Sequence, residues 1–199
     1  MAAVDEGRGL LSLPKAELHL HLEGAMRPDT LTELCKKHGV ERPADTRGGR
    51  FPDFGPFAAC YMAVCECLRE EEDLVRLVRE VAEDAAASGA IWIEPALSFS
   101  LYWERFGGID ATLKLLLRAA AAAEEATGVG VAYIVSAERF VPGKDAETLV
   151  RDAESLARTV RSLVDSGAAV VQGHPGIVAF GLHGAEPGHP PEPFAEAFA

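Results

Sequence analysis

No stretch of the 199-residue sequence holds about 18 consecutive apolar residues, so no transmembrane helix is expected. The opening residues, Met1 to Gly9, include Asp5, Glu6 and Arg8 and lack the basic and apolar segments of a secretory leader. Positive charge is in deficit. Lys and Arg number 19 against 31 Asp and Glu, a formal net charge of −12. That imbalance disfavours non-specific binding to nucleic-acid phosphates and to acidic membrane surfaces. Cysteine is sparse: Cys35, Cys60, Cys65 and Cys67 lie in apolar, helical-looking sequence without disulfide spacing. Without a leader, they are expected to be reduced, buried thiols of a cytoplasmic protein. Cys65 and Cys67 have the spacing of a C-x-C metal pair, but residues two apart on a helix point about 200° from each other. Internal repeats and low-complexity tracts are missing, apart from the alanine run Ala119–Ala123, which reads as helix surface.

What the sequence has is alternation of strands and helices. Strand signals fall at Ala16–Leu22, Ala90–Glu94, Val129–Val135 and about Ile177–Leu182. Helical patterns lie between them. Pro28–His38 opens on proline and closes on Lys36, Lys37, His38 and Gly39, as helix ends favour. Pro52–Leu68 is a second helical segment. Glu70–Ala87 places Leu74, Leu77, Val78 and Val81 on one face, and Ala111–Ala126 and Ala146–Val164 follow. This order predicts βαβ units around a parallel sheet in one α/β domain, residues 1–199. About 200 residues is the lower end for a single-domain α/β barrel. The long interval after the first strand predicts a helical insertion over about residues 28–70, capping that strand's C-terminal end.

The first strand carries the chemistry. In Lys15-Ala16-Glu17-Leu18-His19-Leu20-His21-Leu22-Glu23-Gly24, side chains alternate between faces. Ala16, Leu18, Leu20 and Leu22 form an apolar face; Glu17, His19, His21 and Glu23 form the other. Residues two apart on a strand lie roughly 6–7 Å from each other, close enough for two imidazoles to converge on one metal ion. The alternative is an amphipathic strand with one wet face. Strands of a parallel α/β sheet are covered on both faces, however, and uncompensated polar groups there are costly.

Residues Leu13 to Ala25, followed by a proline-led helix at Pro28, resemble the opening of the adenosine deaminase family of metal-dependent hydrolases. Val178-Ala179-Phe180-Gly181-Leu182-His183-Gly184-Ala185-Glu186 resembles that family's fourth-strand signature, and Glu94 on the second strand also fits. The resemblance implies the first four βα units of a (β/α)₈ TIM barrel, and so only the family's N-terminal half. It makes His19 and His21 ligands of one Zn²⁺ per intact site. It places His21, Glu23 and Gly184 against a small purine substrate, Gly184 through its backbone. The alternatives are a strand-end carboxylate for Glu23, a turn glycine for Gly184, and for Glu186 an ordinary acidic residue in the first turn of the next helix.

The implied reaction is hydrolytic loss of the exocyclic amine from an adenine-containing purine, with zinc activating the attacking water and ammonia leaving. Zinc deaminases of the other class carry H-x-E with P-C-x-x-C, which this sequence lacks. Glu23, Gly181-Leu182 and Pro190-Pro191 look more like relatives acting on adenine or aminofutalosine than on adenosine. His183 shares strand parity with Ala179 and Gly181, which makes it a weak candidate for a substrate contact at the barrel mouth; the favoured reading is a loop histidine. The resemblance places the family's third zinc-binding histidine, its acid/base glutamate and its metal-binding aspartate on strands beyond the fourth; His38, His174 and His189 are poor substitutes, and no catalytic acid/base residue is identifiable within the 199 residues. The 199 residues alone are therefore expected to be inactive. Two rival expectations stand beside this one: a non-catalytic relic or interaction module, and another amidohydrolase-type metal hydrolase. A sheet with open edges also predicts self-association.

Overall fold

The computed structural model describes residues 12–46 and 49–199; Met1 to Gly9, the segment expected to hold no leader, lie outside them. The chain alternates strand and helix as the periodicity predicts. Strand β1 (Lys15–His21) leads through a 3-10 turn (Glu23–Ala25) to α1 (Pro28–His38), α2 (Phe54–Cys65) and α3 (Glu71–Ser88). Then come β2 (Ala90–Leu97), α4 (Ile109–Thr127), β3 (Gly130–Val131), β4 (Tyr133–Glu138) and α5 (Ala146–Asp165). A short antiparallel pair, β5 (Val170–Val171) with β6 (His174–Pro175), precedes β7 (Ile177–His183). The main sheet runs β1-β2-β4-β7, with β3 beside β2, and every pairing in it is parallel. This is a partial α/β fold with helical insertions. β1 and β7 are its outer strands, and no further described strand pairs with either edge.

Local chemistry sets the helix ends. Pro28 opens α1, and Gly39 closes it in the left-handed region. Asp145 caps α5 by accepting from the Thr148 amide at 2.8 Å. The stripe Leu74, Leu77, Val78 and Val81 of α3 is buried. α3 and α4 pack together, α3 against β2 and α4 against β3, while α5 covers β4. Within that layer Tyr133 is buried and donates its hydroxyl to the Leu116 carbonyl at 3.0 Å. Cys35, Cys65 and Cys67 are buried free thiols, and Cys60 is half-buried. Cys35 Sγ and Cys67 Sγ stand 3.3 Å apart.

Three expectations need correction. The alternation of β1 does not run through to residue 23. The pairing with β2 shifts between Leu18 and Leu20, and His19 takes φ 60°. Leu18 is 65% exposed on an outer strand, while Leu22 is fully buried. His183 is the last residue of β7 rather than part of a loop. Glu186 begins no helix; it is 81% exposed in the stretch before a 3-10 helix at Glu192–Phe198. Gly188 takes φ 81°, outside the helical region, and Pro190 has no amide to donate back to the Glu186 carbonyl four residues earlier, so a helix does not start there.

Candidate metal centre

The site lies at the C-terminal ends of the parallel strands. At the end of β1 the irregularity at His19 re-aims the chain, and the His19 and His21 rings come to 5.4 Å, edge to face. A non-glycine residue at positive φ costs about 1–3 kcal/mol and is found where the surroundings enforce it. From the opposite edge of the sheet, His183 brings its ring to 4.8 Å from His21 and 5.9 Å from His19. One ring nitrogen from each of the three lies within 4.8 Å of the others. Donors in a tetrahedral zinc site are about 3.4 Å apart, a difference that side-chain rotation covers. The expectation that no third imidazole is at hand is therefore wrong. His38 pairs with Asp73 and His174 with Glu124, but His183 joins the other two.

The electrostatics suit metal ligation. Burial, then the neighbouring His21 and His19, push the pKa of His183 down to about 4. Burial and His19 lower that of His21. His21 and His183 are thereby favoured in the neutral form, which leaves lone pairs available. The donor set fits a borderline divalent ion such as zinc.

Carboxyls stand behind the imidazoles. Glu23 follows the strand in the 3-10 turn and has no exposed surface. It accepts from the Tyr61 hydroxyl (2.5 Å), the Tyr102 hydroxyl (2.7 Å) and the Ser98 amide (3.1 Å). Burial raises its pKa despite these donors. Tyr61, on α2, also sets its ring edge-on to His21 at 5.9 Å, so the inserted helix covers the end of β1. Glu138 ends β4. Burial, reinforced by Glu23, pushes its pKa up to about 8. Its Oε1 lies 3.9 Å from His183 Nδ1, and both atoms are buried without a hydrogen-bond partner. His183 Nε2 lies 3.0 Å from Ser136 Oγ. Gly181 opposite leaves that serine room, since a Cβ there would stand 2.6 Å from Ser136 Oγ. Gly184 has φ 101°, which favours glycine whatever else the position does.

Sequence reasoning missed Glu138, Tyr102 and Ser98, and undervalued His183. The available signal was position: Ser98, Glu138 and His183 all sit at or just beyond strand C-termini, where α/β folds place their ligands.

Residues 14–199 match the family described as adenosine deaminase. The chain belongs to that family. A Streptomyces virginiae protein named for adenosine/adenine deamination is 35% identical over 204 residues, covering 98% of this chain and 56% of its own length. An adenine deaminase of Rhizobium leguminosarum bv. trifolii is 36% identical over 132 residues, covering 65% of this chain and 41% of that protein. The crystal structure of an adenine deaminase from Arthrobacter aurescens superposes with a TM-score of 0.69 at 26% identity, covering 93% of this chain and 53% of that one. The sequence implies a resemblance to the family's N-terminal half only. The match over residues 14–199 corrects this, because membership extends across nearly the full chain. The chain spans about half the length of the curated relatives it matches. At family level it is classed with the adenosine/adenine deaminase-type aminohydrolases. Among the described residues no helix is long and apolar enough to cross a membrane.

Proposed function

We propose that this chain serves the zinc-dependent hydrolytic deamination of an adenine-containing purine on a (β/α)₈-type scaffold, of which β1, β2, β4 and β7 are the first four principal strands. One observation carries the reading: two histidines of one strand, in the pattern of the family, meet a third imidazole at the C-terminal ends of a parallel sheet. His19 and His21 are assigned as ligands of the ion. When bound, the ion supplies Lewis-acid activation of water near neutral pH. Overall, water adds at purine C6, the exocyclic C–N bond breaks, and ammonia leaves.

The chain's own residues bind and enclose. His21 and the backbone at Gly184 are assigned to the purine. Glu23 is assigned to the same end of the site; because it is fully buried beneath Tyr61 and Tyr102, direct contact with substrate requires Tyr61 to swing aside. Deamination is proposed of the whole protein. For the 199 residues by themselves we propose metal binding without turnover, since Glu23 and Glu138, the carboxyls described beside the three histidines, are both buried.

The test is to load the purified chain with Zn²⁺ and follow ammonia release from adenine, adenosine and aminofutalosine. Bound metal with no ammonia above background is the expected outcome. Rapid turnover would overturn the division of labour, and failure to bind any metal would overturn the metal-dependent reading.

A further inference from the structure

We propose that Cys35 and Cys67 are a modification site: a thiol pair that a hydroperoxide converts to a disulfide tying α1 to the end of α2. The inference is independent of the metal-dependent reading, since neither thiol belongs to the histidine cluster.

The two sulfurs come from segments 32 positions apart. Cys35 lies in the last turn of α1. Cys67 follows α2, where its amide donates to the Val64 carbonyl at 3.0 Å and its thiol to the Ala63 carbonyl at 3.4 Å. Sγ to Sγ is 3.3 Å. Carbon atoms of packed apolar side chains sit about 3.5–4.0 Å apart, and sulfur is the larger atom, so the pair is closer than ordinary packing brings two buried thiols. Other groups hold the segments together. Arg69 donates from Nη1 to the His38 carbonyl at 3.3 Å and from Nε to the Glu66 carbonyl at 3.0 Å, while Lys37 and His38 reach Asp73. The approach therefore survives loss of the S–H groups. Cys60 and Cys65 are nearer to Cys67 in sequence, yet no other cysteine pair among the described residues brings its sulfurs into contact.

The two thiols suit different roles. Cys35 keeps what little surface the pair has, 4% against none for Cys67, and is the one a small peroxide reaches first. Its thiolate attacks a peroxide oxygen, the O–O bond breaks, and the departing hydroxide takes the thiol proton as water, leaving a sulfenic acid. The Cys67 sulfur, already in contact, attacks that of Cys35. The S–S bond forms, the S–O bond breaks, and the hydroxyl leaves with the Cys67 proton as a second water. Two thiols are oxidised by two electrons, and one peroxide is reduced to two waters. Burial, then the hydrogen bond with Cys35, pushes the Cys67 thiol up to about 12, although Arg69 opposes the rise. That disfavours Cys67 as the free attacking thiolate and fits it to the second step, where the leaving hydroxyl accepts its proton.

The test oxidises the metal-free, fully reduced chain with hydrogen peroxide under native conditions, alkylates the remaining thiols and maps the peptides by mass spectrometry. A cross-linked pair joining Cys35 to Cys67 is expected, lighter by two hydrogens, with Cys60 and Cys65 recovered as alkylated thiols. Dithiothreitol should reverse the change, and the bonded form should melt about 5–10 °C higher. In urea the same treatment should favour the short-loop pairs Cys60–Cys65 and Cys65–Cys67. Cys60→Ser should leave the native cross-link unchanged, and Cys67→Ser should abolish it together with the rise in melting temperature. The proposal is overturned if all four thiols are still alkylated after peroxide, if Cys35 or Cys67 is recovered as a sulfinic acid without a cross-link, or if the native chain gives the same mixture of pairs as the chain in urea. Should Cys67→Ser not fold, the peptide map of the unmutated chain decides by itself.

Discussion

At the scale of single residues, the centre depends on side chains that touch no ligand. Glu23 is the clearest. It has no exposed surface, and its oxygens gather three donors, two of them tyrosine hydroxyls. Removing the carboxyl leaves the Tyr102 hydroxyl and the Ser98 amide buried and unpaired, at about 1–3 kcal/mol per group. Glu23→Ala should therefore lose about 2–4 kcal/mol in urea denaturation, and Tyr102→Phe, which removes one donor and leaves two, about 1–2 kcal/mol. An exposed strand-end carboxylate would show neither loss. That alternative was open in the sequence, because alternation carries Glu23 onto the face of His19 and His21. The irregularity at His19 and the turn at Leu22 take it elsewhere. A one-residue irregularity reverses side-chain facing, and no residue-type pattern in β1 announces it.

Among the elements, the junction of α1 with α3 depends most on charge. Asp73 sits in the first turn of α3, where its side chain accepts from the amides of Glu70 (2.9 Å) and Arg69 (3.1 Å). It also receives Lys37 Nζ at 2.8 Å and His38 Nε2 at 2.7 Å from the end of α1. Burial by itself would raise the Asp73 pKa, but these hydrogen bonds together hold it below its ordinary value. The sign of the pH dependence follows. The folded pKa lies under the unfolded value of about 3.9, so on acidification the unfolded chain takes up the proton first. The stabilisation is whole above the unfolded pKa and is lost as pH falls through the folded one. Asp73→Asn should cost about 1–2 kcal/mol near neutral pH. In thermal melts between about pH 6 and pH 3, the gap between variant and parent should shrink toward the acid end. The two helices themselves were legible in the sequence, from Pro28, Gly39 and the apolar stripe of α3. The tie between their ends was not, since Lys37 and Asp73 are 36 positions apart and read separately as ordinary dipole-complementing charges.

For the whole molecule, the governing feature is a sheet with two outer strands. Leu18 on β1 and Val178 on β7 are 65% and 40% exposed, and unpaired parallel edges are templates for further pairing. The formal charge of −12 opposes that pairing through self-repulsion, which salt screens. Light scattering on the isolated chain should accordingly find dimers or larger species that grow with ionic strength; a monodisperse monomer at low and high salt would contradict the expectation. By itself the sequence determined the parallel α/β order, the five helices to within a few residues, and the paired histidines of β1. All of these rest on periodicity and end-signals within some 20 neighbouring residues. Only the tertiary structure decided that His183 joins His19 and His21, that Glu138 faces His183, and that Glu23 is buried beneath two tyrosines. Those meetings span 38 to more than 160 positions of chain, and what sets them is the curvature of the sheet and the packing of α2 over it, neither of which is a property of any local stretch of sequence.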